Sequence, residues 1–420
     1  MYGGWSDKEI DNYGPGRPKI CTGQPNLDKD SRSMKNLISD IAVKIKSSKI
    51  RNMFKLASTL DDVVNLGIGE PDFDTPPNII KAAEKAMAAG LTHYTSNVGN
   101  LDLRQAVAAR LERQNEIVAD PEKNIIITTG AMGGLYLSMR VLLNPGDEVI
   151  LPMPSWTNYS SHIELAGGVP VPLVTTPHTG FAPTSEQLRQ LITSQTKALL
   201  INTPTNPTGT VYSQERLEEL AHIALDRDLI VISDEVYEKF IWDDARHFSI
   251  ASLPGMADRT VTINSLSKTY AMTGWRVGYT CGPAKVVAAM TKLQEDVYAC
   301  VGSISQAAAL EAIRGPNDYL DKMVAEYAAR REFILRSLTE IPCMKVFRPA
   351  GTFYVFIDIS STGLSADDYA LRLLEEEKVC LVPGTAFGSG GESFIRVAYT
   401  NGIERLEEAV RRMRDFASRL

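Results

Sequence analysis

The chain has 420 residues, 44% hydrophobic and 23% charged, ordinary proportions for a globular protein with room for two domains. A formal net charge of −7 without a long basic block argues against a nucleic-acid surface, and no apolar run approaches a membrane span. Cys21, Cys281, Cys300, Cys343 and Cys380 include no CxxC pair, so neither a disulfide framework nor a zinc site is indicated; with an N-terminus unlike a signal peptide, a cytoplasmic setting is expected.

Residues 1–33 are rich in Gly, Asp, Asn and Pro and lack periodicity, which reads as an extension, either mobile or draped on a partner subunit. Ile38, Ile41, Ala42 and Ile45 recur at helical spacing. Val63 to Gly69 forms a strand-to-loop passage, and Pro77 or Asn78 opens a helix through Ala89. From Lys123 strands and helices alternate, with strands expected at 124–128, 148–151, 198–202, 229–233 and 261–264. After Gly130–Gly134 an apolar helix runs to Leu143, and another covers roughly Gln214 to Arg227. Such alternation specifies an α/β fold with a mostly parallel sheet covered by helices on both faces. After a long helix near 283–300, the last third mixes helices with strands around 353–357 and 394–397. That mixture predicts a smaller α+β domain. The division expected is an extension at 1–33, small-domain segments at 34–66 and 313–420, and a large domain at 67–312.

The most informative run is Ser265-Leu-Ser-Lys-Thr-Tyr-Ala-Met-Thr-Gly-Trp-Arg276-Val-Gly278. Lys268 falls just past a strand end, where ligands bind in open α/β sheets. Ser265, Ser267 and Arg276 suit a phosphate, since a guanidinium grips oxyanions through paired hydrogen bonds. An amine beside a phosphate clamp is the arrangement that a Schiff base with pyridoxal 5′-phosphate requires. Gly130, Ala131 and Met132 lie between a strand and a helix, so their N–H groups can face a dianion. Asp234 and Tyr237 fall at the end of a buried strand, and Asn206 sits in the turn Asn202-Thr-Pro-Thr-Asn-Pro-Thr-Gly209. Arg396 alternates with apolar neighbours on a strand and needs an anionic partner, for which a carboxylate would serve.

This ordered set resembles the class I/II pyridoxal-phosphate-dependent aminotransferases of fold type I, from about Ile50 to the C-terminus. The runs Lys49–Ala57 and Gly67–Pro76 are similar to the bacterial and archaeal aspartate-aminotransferase-like subgroup. The resemblance implies that Lys268 holds the cofactor as a Schiff base and serves as general base and acid. By the same likeness Asp234 meets the pyridine nitrogen, and Tyr237 and Asn206 share the phenolic oxygen. The phosphate would be held by Gly130, Ala131, Met132, Ser265, Ser267 and Arg276, with Tyr94 reaching in from the partner of a homodimer. Trp156 would stack on the ring, and Arg396, Gly69, Trp156 and Asn206 would contact the substrate. Glu295, Asp296 and Tyr298 would line the neighbouring pocket. The activity implied is ping-pong transfer of an amino group from an L-amino acid to a 2-oxo acid, with no metal. One departure bears on the donor: Met132 stands where aspartate-specific members carry a lysine, which points away from aspartate. The other readings are a C–S β-lyase and a cofactor-bearing regulatory or binding protein.

Overall fold

The computed structural model describes residues 37–45 and 48–420, so the expected extension at 1–33 lies outside the described residues. Residues 37–45 hold one short helix, Asp40–Lys44, capped by the Ser39 hydroxyl, which accepts from the Ala42 amide. Ile38, Ile41 and Ile45 are all exposed.

The strands of 48–420 are, in chain order, β1 (Val64–Asn65), β2 (Ile125–Thr128), β3 (Glu148–Met153), β4 (Val169–Val174), β5 (Thr196–Asn202), β6 (Ile230–Asp234), β7 (Thr260–Ser265), β8 (Gly278–Cys281), β9 (Lys345–Val346), β10 (Tyr354–Asp358), β11 (Val379–Cys380), β12 (Val382–Pro383) and β13 (Phe394–Ala398). Seven of them form one sheet in the order β2-β8-β7-β6-β5-β3-β4. Strands β3 to β7 run parallel, and β8 lies antiparallel between β2 and β7. The α/β fold with a mostly parallel sheet is therefore observed.

Side-chain alternation decides what covers each face. Ile150, Leu199, Ile201 and Val231 pack with Leu217, Leu220 and Ile223 of the helix Gln214–Asp226. Their neighbours Val149, Leu151, Leu200 and Ile232 pack with Leu135 and Met139 of the helix Gly130–Leu142. Each such side chain contributes about 1.5–3 kcal/mol on burial. Both faces being apolar, the strands read as continuous hydrophobic runs.

In the C-terminal part, β12, β13, β10 and β9 form an antiparallel sheet, and β1 pairs in parallel with β11. Phe353, Ile357, Ile395 and Val397 pack with Tyr327, Ile334 and Leu338 of the helix Asp318–Thr339 and with Leu406 and Met413 of Ile403–Ala417. Among the described residues no helix is long and apolar enough to cross a membrane.

Candidate active site

The parallel strands β5, β6 and β7 end side by side, at Asn202, Asp234 and Ser265. Their carboxyl ends open onto a cavity of about 490 Å³. Lys268, Asp234, Tyr237, Asn206, Ser265, Ser267, Arg276, Ala131, Met132, Trp156, Gly69 and Arg396 all line it. Residues far apart in the chain thus converge on one cavity. Gly130 stands just behind the lining, where a Cβ would come 2.5 Å from the Arg276 Nη2. Its φ of +64° calls for glycine, and a Cβ there would push the Arg276 guanidinium aside. Tyr94 is not part of this chain's cavity; it is 89% exposed. Glu295, Asp296 and Tyr298 are likewise absent from the lining.

Lys268 sits in a single helical turn, Leu266–Thr269, directly after β7. Its Nζ donates to the Gly69 carbonyl oxygen at 2.6 Å. Burial pushes the ammonium pKa down to about 8; Arg276 and Arg396 push the same way, against Glu70 and Asp234. A neutral amine is therefore within reach near neutrality.

Asp234 is buried, and burial raises its pKa to about 6 even though two donors hold the carboxylate. These are the Tyr159 hydroxyl, at 2.8 Å, and the Val236 amide, at 3.2 Å. A carboxylate so placed lacks a cation within bonding distance, and a protonated pyridine nitrogen would supply one. Nearby, Ser265 Oγ and Ser267 Oγ lie 2.9 Å apart beside the N-terminus of the helix Gly130–Leu142. The hydroxyls, the free N–H groups of that helix turn and the Arg276 guanidinium are all donors. This donor set fits a phosphate dianion. Amine, acid and anion cup together fit pyridoxal phosphate.

Arg396 projects from β13, opposite Phe356 on β10 and Val382 on β12. It is 2% exposed, yet no carboxylate lies within ion-pair distance of it among the described residues. Its Nη1 donates to Asn206 Oδ1 at 2.9 Å and its Nη2 to the Gly67 carbonyl at 2.5 Å, while Nε has no partner. Burial depresses its pKa. Asn206 is itself fixed, its amide N–H donating to Asn202 Oδ1 at 2.9 Å.

Several lining residues were not singled out from the sequence. Tyr159 grips Asp234 and packs edge-on against Trp156, ring centroids 5.4 Å apart. Tyr354 touches both Tyr237 and Arg396. Ile50, Phe54, Ile68 and Glu70 complete one wall. Only the motif position of Tyr159, three residues after Trp156, offered any signal.

The family model for aminotransferase class I and II matches residues 61–413. The chain belongs to this family. Class I/II aminotransferases use pyridoxal 5′-phosphate, and this chain is a pyridoxal-phosphate-dependent aminotransferase of fold type I. Among curated relatives of this aminotransferase, an aspartate aminotransferase of Pyrococcus abyssi is 43% identical over 378 residues, 90% of this chain and 97% of the relative. An aromatic-amino-acid aminotransferase 2 of Thermococcus litoralis is 42% identical over the same shares. Among solved structures, the aromatic aminotransferase of Pyrococcus horikoshii superposes with a TM-score of 0.84 at 42% identity, covering 88% of this chain and 99% of that one. The aspartate aminotransferase of Thermus thermophilus with maleate gives 0.87 at 37% identity, covering 92% and 100%.

Proposed function

We propose that this aminotransferase moves the amino group of an L-amino acid with an apolar or aromatic side chain, rather than aspartate, to a 2-oxo acid. The observation that carries the reading is Arg396, a buried guanidinium without an acidic partner, lining the same cavity as Lys268. A substrate α-carboxylate supplies the missing anion through two parallel hydrogen bonds. With the carboxylate fixed there, the substrate's amino-bearing carbon faces the reactive amine.

The cofactor, when bound, supplies a conjugated ring that absorbs the electron pair left as the substrate Cα–H bond breaks. Lys268 would take that proton from Cα on its neutral Nζ and return it to the cofactor's C4′ carbon, on the other side of the shared nitrogen, as general base and then acid. Asp234, held by Tyr159 and the Val236 amide, accepts from the ring nitrogen and keeps it protonated. Tyr237 and the Asn206 amide would donate to the phenolic oxygen, while Asn206 Oδ1 accepts from Arg396 Nη1. Trp156 covers the ring. Ser265, Ser267, Arg276 and the first amides of Gly130–Leu142 hold the phosphate. Donor and acceptor use one cavity in turn, so the kinetics are ping-pong.

The donor preference rests on charge. Among the described lining residues the cations are Lys268, Arg276 and Arg396, and each has a task above. Met132 leaves no cation for a second carboxylate, and Ile50, Phe54, Ile68 and Trp156 offer apolar surface. The relatives' names span both aspartate and aromatic donors. A homodimer with shared sites belongs to the same proposal: Tyr94 and the Arg276 edge of the phosphate cup are both exposed in the single chain.

The test is the visible spectrum of the holoenzyme, mixed with single amino acids in the absence of any oxo acid. Aromatic donors should bleach the long-wavelength band faster than aspartate does, and Met132→Lys should narrow the gap. Aspartate reacting fastest would overturn the donor preference. A persistent band with pyruvate and ammonia accumulating would mean β-lyase chemistry.

A further inference from the structure

We infer that Tyr354 is a positioning residue for two parts of the site at once, its hydroxyl orienting the Tyr237 proton and its ring supporting Arg396. The inference rests on the roles proposed above for Tyr237 and Arg396. Tyr354 opens β10 and is 1% exposed. Its hydroxyl lies 2.8 Å from that of Tyr237. Among the described residues, neither hydroxyl has another hydrogen-bond partner.

Two hydroxyls bring two protons to this contact, and only one proton can lie between the oxygens. If Tyr237 donated to Tyr354, its own proton would be spent inside the pair and the phenolic oxygen would lose its donor. If Tyr354 donates instead, Tyr237 is free to point its proton into the cavity. Gly69 favours the second arrangement, for it packs so close to the Tyr354 hydroxyl that a Cβ would run into it. Among the described residues the Tyr354 proton has no acceptor other than the Tyr237 oxygen. A chain Tyr354 to Tyr237 to ligand also strengthens each bond by polarisation.

The ring has the other task. Arg396 Cζ sits 4.2 Å from the centroid of Tyr354 and 5.0 Å from that of Phe387. A buried guanidinium without a carboxylate is held in place by these aromatic faces until an anion arrives. The ring rather than the hydroxyl performs this, so the two tasks are separable by substitution.

Tyr354→Phe keeps the ring and removes the hydroxyl; Tyr354→Leu removes both. Each is compared with wild type and Tyr237→Phe in the pH titration of the holoenzyme's visible band and in the KM of the donor. A weakened donor at the phenolic oxygen leaves more negative charge there, which holds the neighbouring proton to higher pH. Tyr354→Phe should raise the midpoint by up to about one pH unit, the tenfold change one neutral hydrogen bond supplies. The shift should be smaller than that of Tyr237→Phe, with KM within about twofold of wild type. Tyr354→Leu should show the same midpoint shift with a KM raised roughly tenfold, the scale of a desolvated cation–π contact. An unmoved midpoint in Tyr354→Phe beside a shifted one in Tyr237→Phe overturns the inference and leaves the Tyr237 role standing. Unmoved midpoints in both overturn the Tyr237 role as well. Equal KM increases in the Phe and Leu variants overturn the role of the ring.

Discussion

Arg110 and Arg396 are both buried, at 4% and 2% exposure, but their surroundings differ in kind. Arg110 reaches Glu238 at 2.5 Å and the Tyr270 hydroxyl at 2.8 Å. Glu238 also accepts from Asn115 at 2.7 Å, and the adjacent Glu235 accepts from His247, Ser233 and Ser249. Burial alone would raise the Glu238 pKa, yet Arg110, Lys239 and His247 hold it down to about 2. Arg396 has two neutral oxygens and two aromatic faces. The same short segment after β6 supplies both regions: Glu235 and Glu238 to the closed network, Asp234 and Tyr237 to the cavity. A charge whose partners are all within the chain holds the fold together. One left without a counter-charge is, in the function proposed above, kept for a ligand.

The largest effect should come from Lys268→Ala. Its only bond here is to a main-chain carbonyl, so stability should change little while transamination falls on the order of 10⁴-fold, the upper range for a lost general base. Single-turnover bleaching measures it, and undiminished turnover would remove the proposed mechanism.

Next is the contrast between the arginines themselves. Glu238→Ala strands Arg110 and should destabilise the ligand-free protein by about 3–5 kcal/mol. Arg396→Leu strands no charge. It should leave urea stability within about 1 kcal/mol and lower kcat/KM for the donor by about 10²–10³-fold, two charge-assisted bonds' worth. The reverse ranking of stabilities would break the comparison.

A third test reads pH. Asp234 is raised from 3.8 to about 6 by burial, so the native state holds a proton that the unfolded chain has released. Stability of the ligand-free protein should therefore fall as pH rises from about 4 to 6, by on the order of 3 kcal/mol. Asp234→Asn should flatten that slope in urea titrations; an unchanged slope would mean that the carboxylate is not strained by its setting. The smallest effect is expected of Tyr94→Phe, about tenfold weaker cofactor retention if one charge-assisted bond crosses a dimer interface. A fully active monomer would break that link.

Most of the sheet was legible because its inner strands are short apolar runs between turn residues. β4 was not, since Pro170 and Pro172 disguise it; as an edge strand it has one side without a ladder partner, where missing N–H donors cost no bond. The helix Leu101–Asn115 was hidden by what it buries, for Arg104, Arg110 and Asn115 interrupt its apolar face. In the site, the residues legible from motifs were those whose chemistry is uncommon: an amine between hydroxyls, an acid at a strand end, a lone arginine in an apolar strand. Tyr159 and Tyr354 stayed hidden because a tyrosine among apolar neighbours reads as core. Their partners lie 75 and 117 residues away in the chain.

The segment Gly67–Gly69 has a consequence for turnover. Its carbonyls accept hydrogen bonds from both Arg396 and Lys268. A carboxylate that docked on Arg396, as in the function proposed above, would compete with the Gly67 carbonyl for Nη2. The main chain thus acts as a resident competitor for the ligand positions. Such competition would moderate affinity for substrate and product alike.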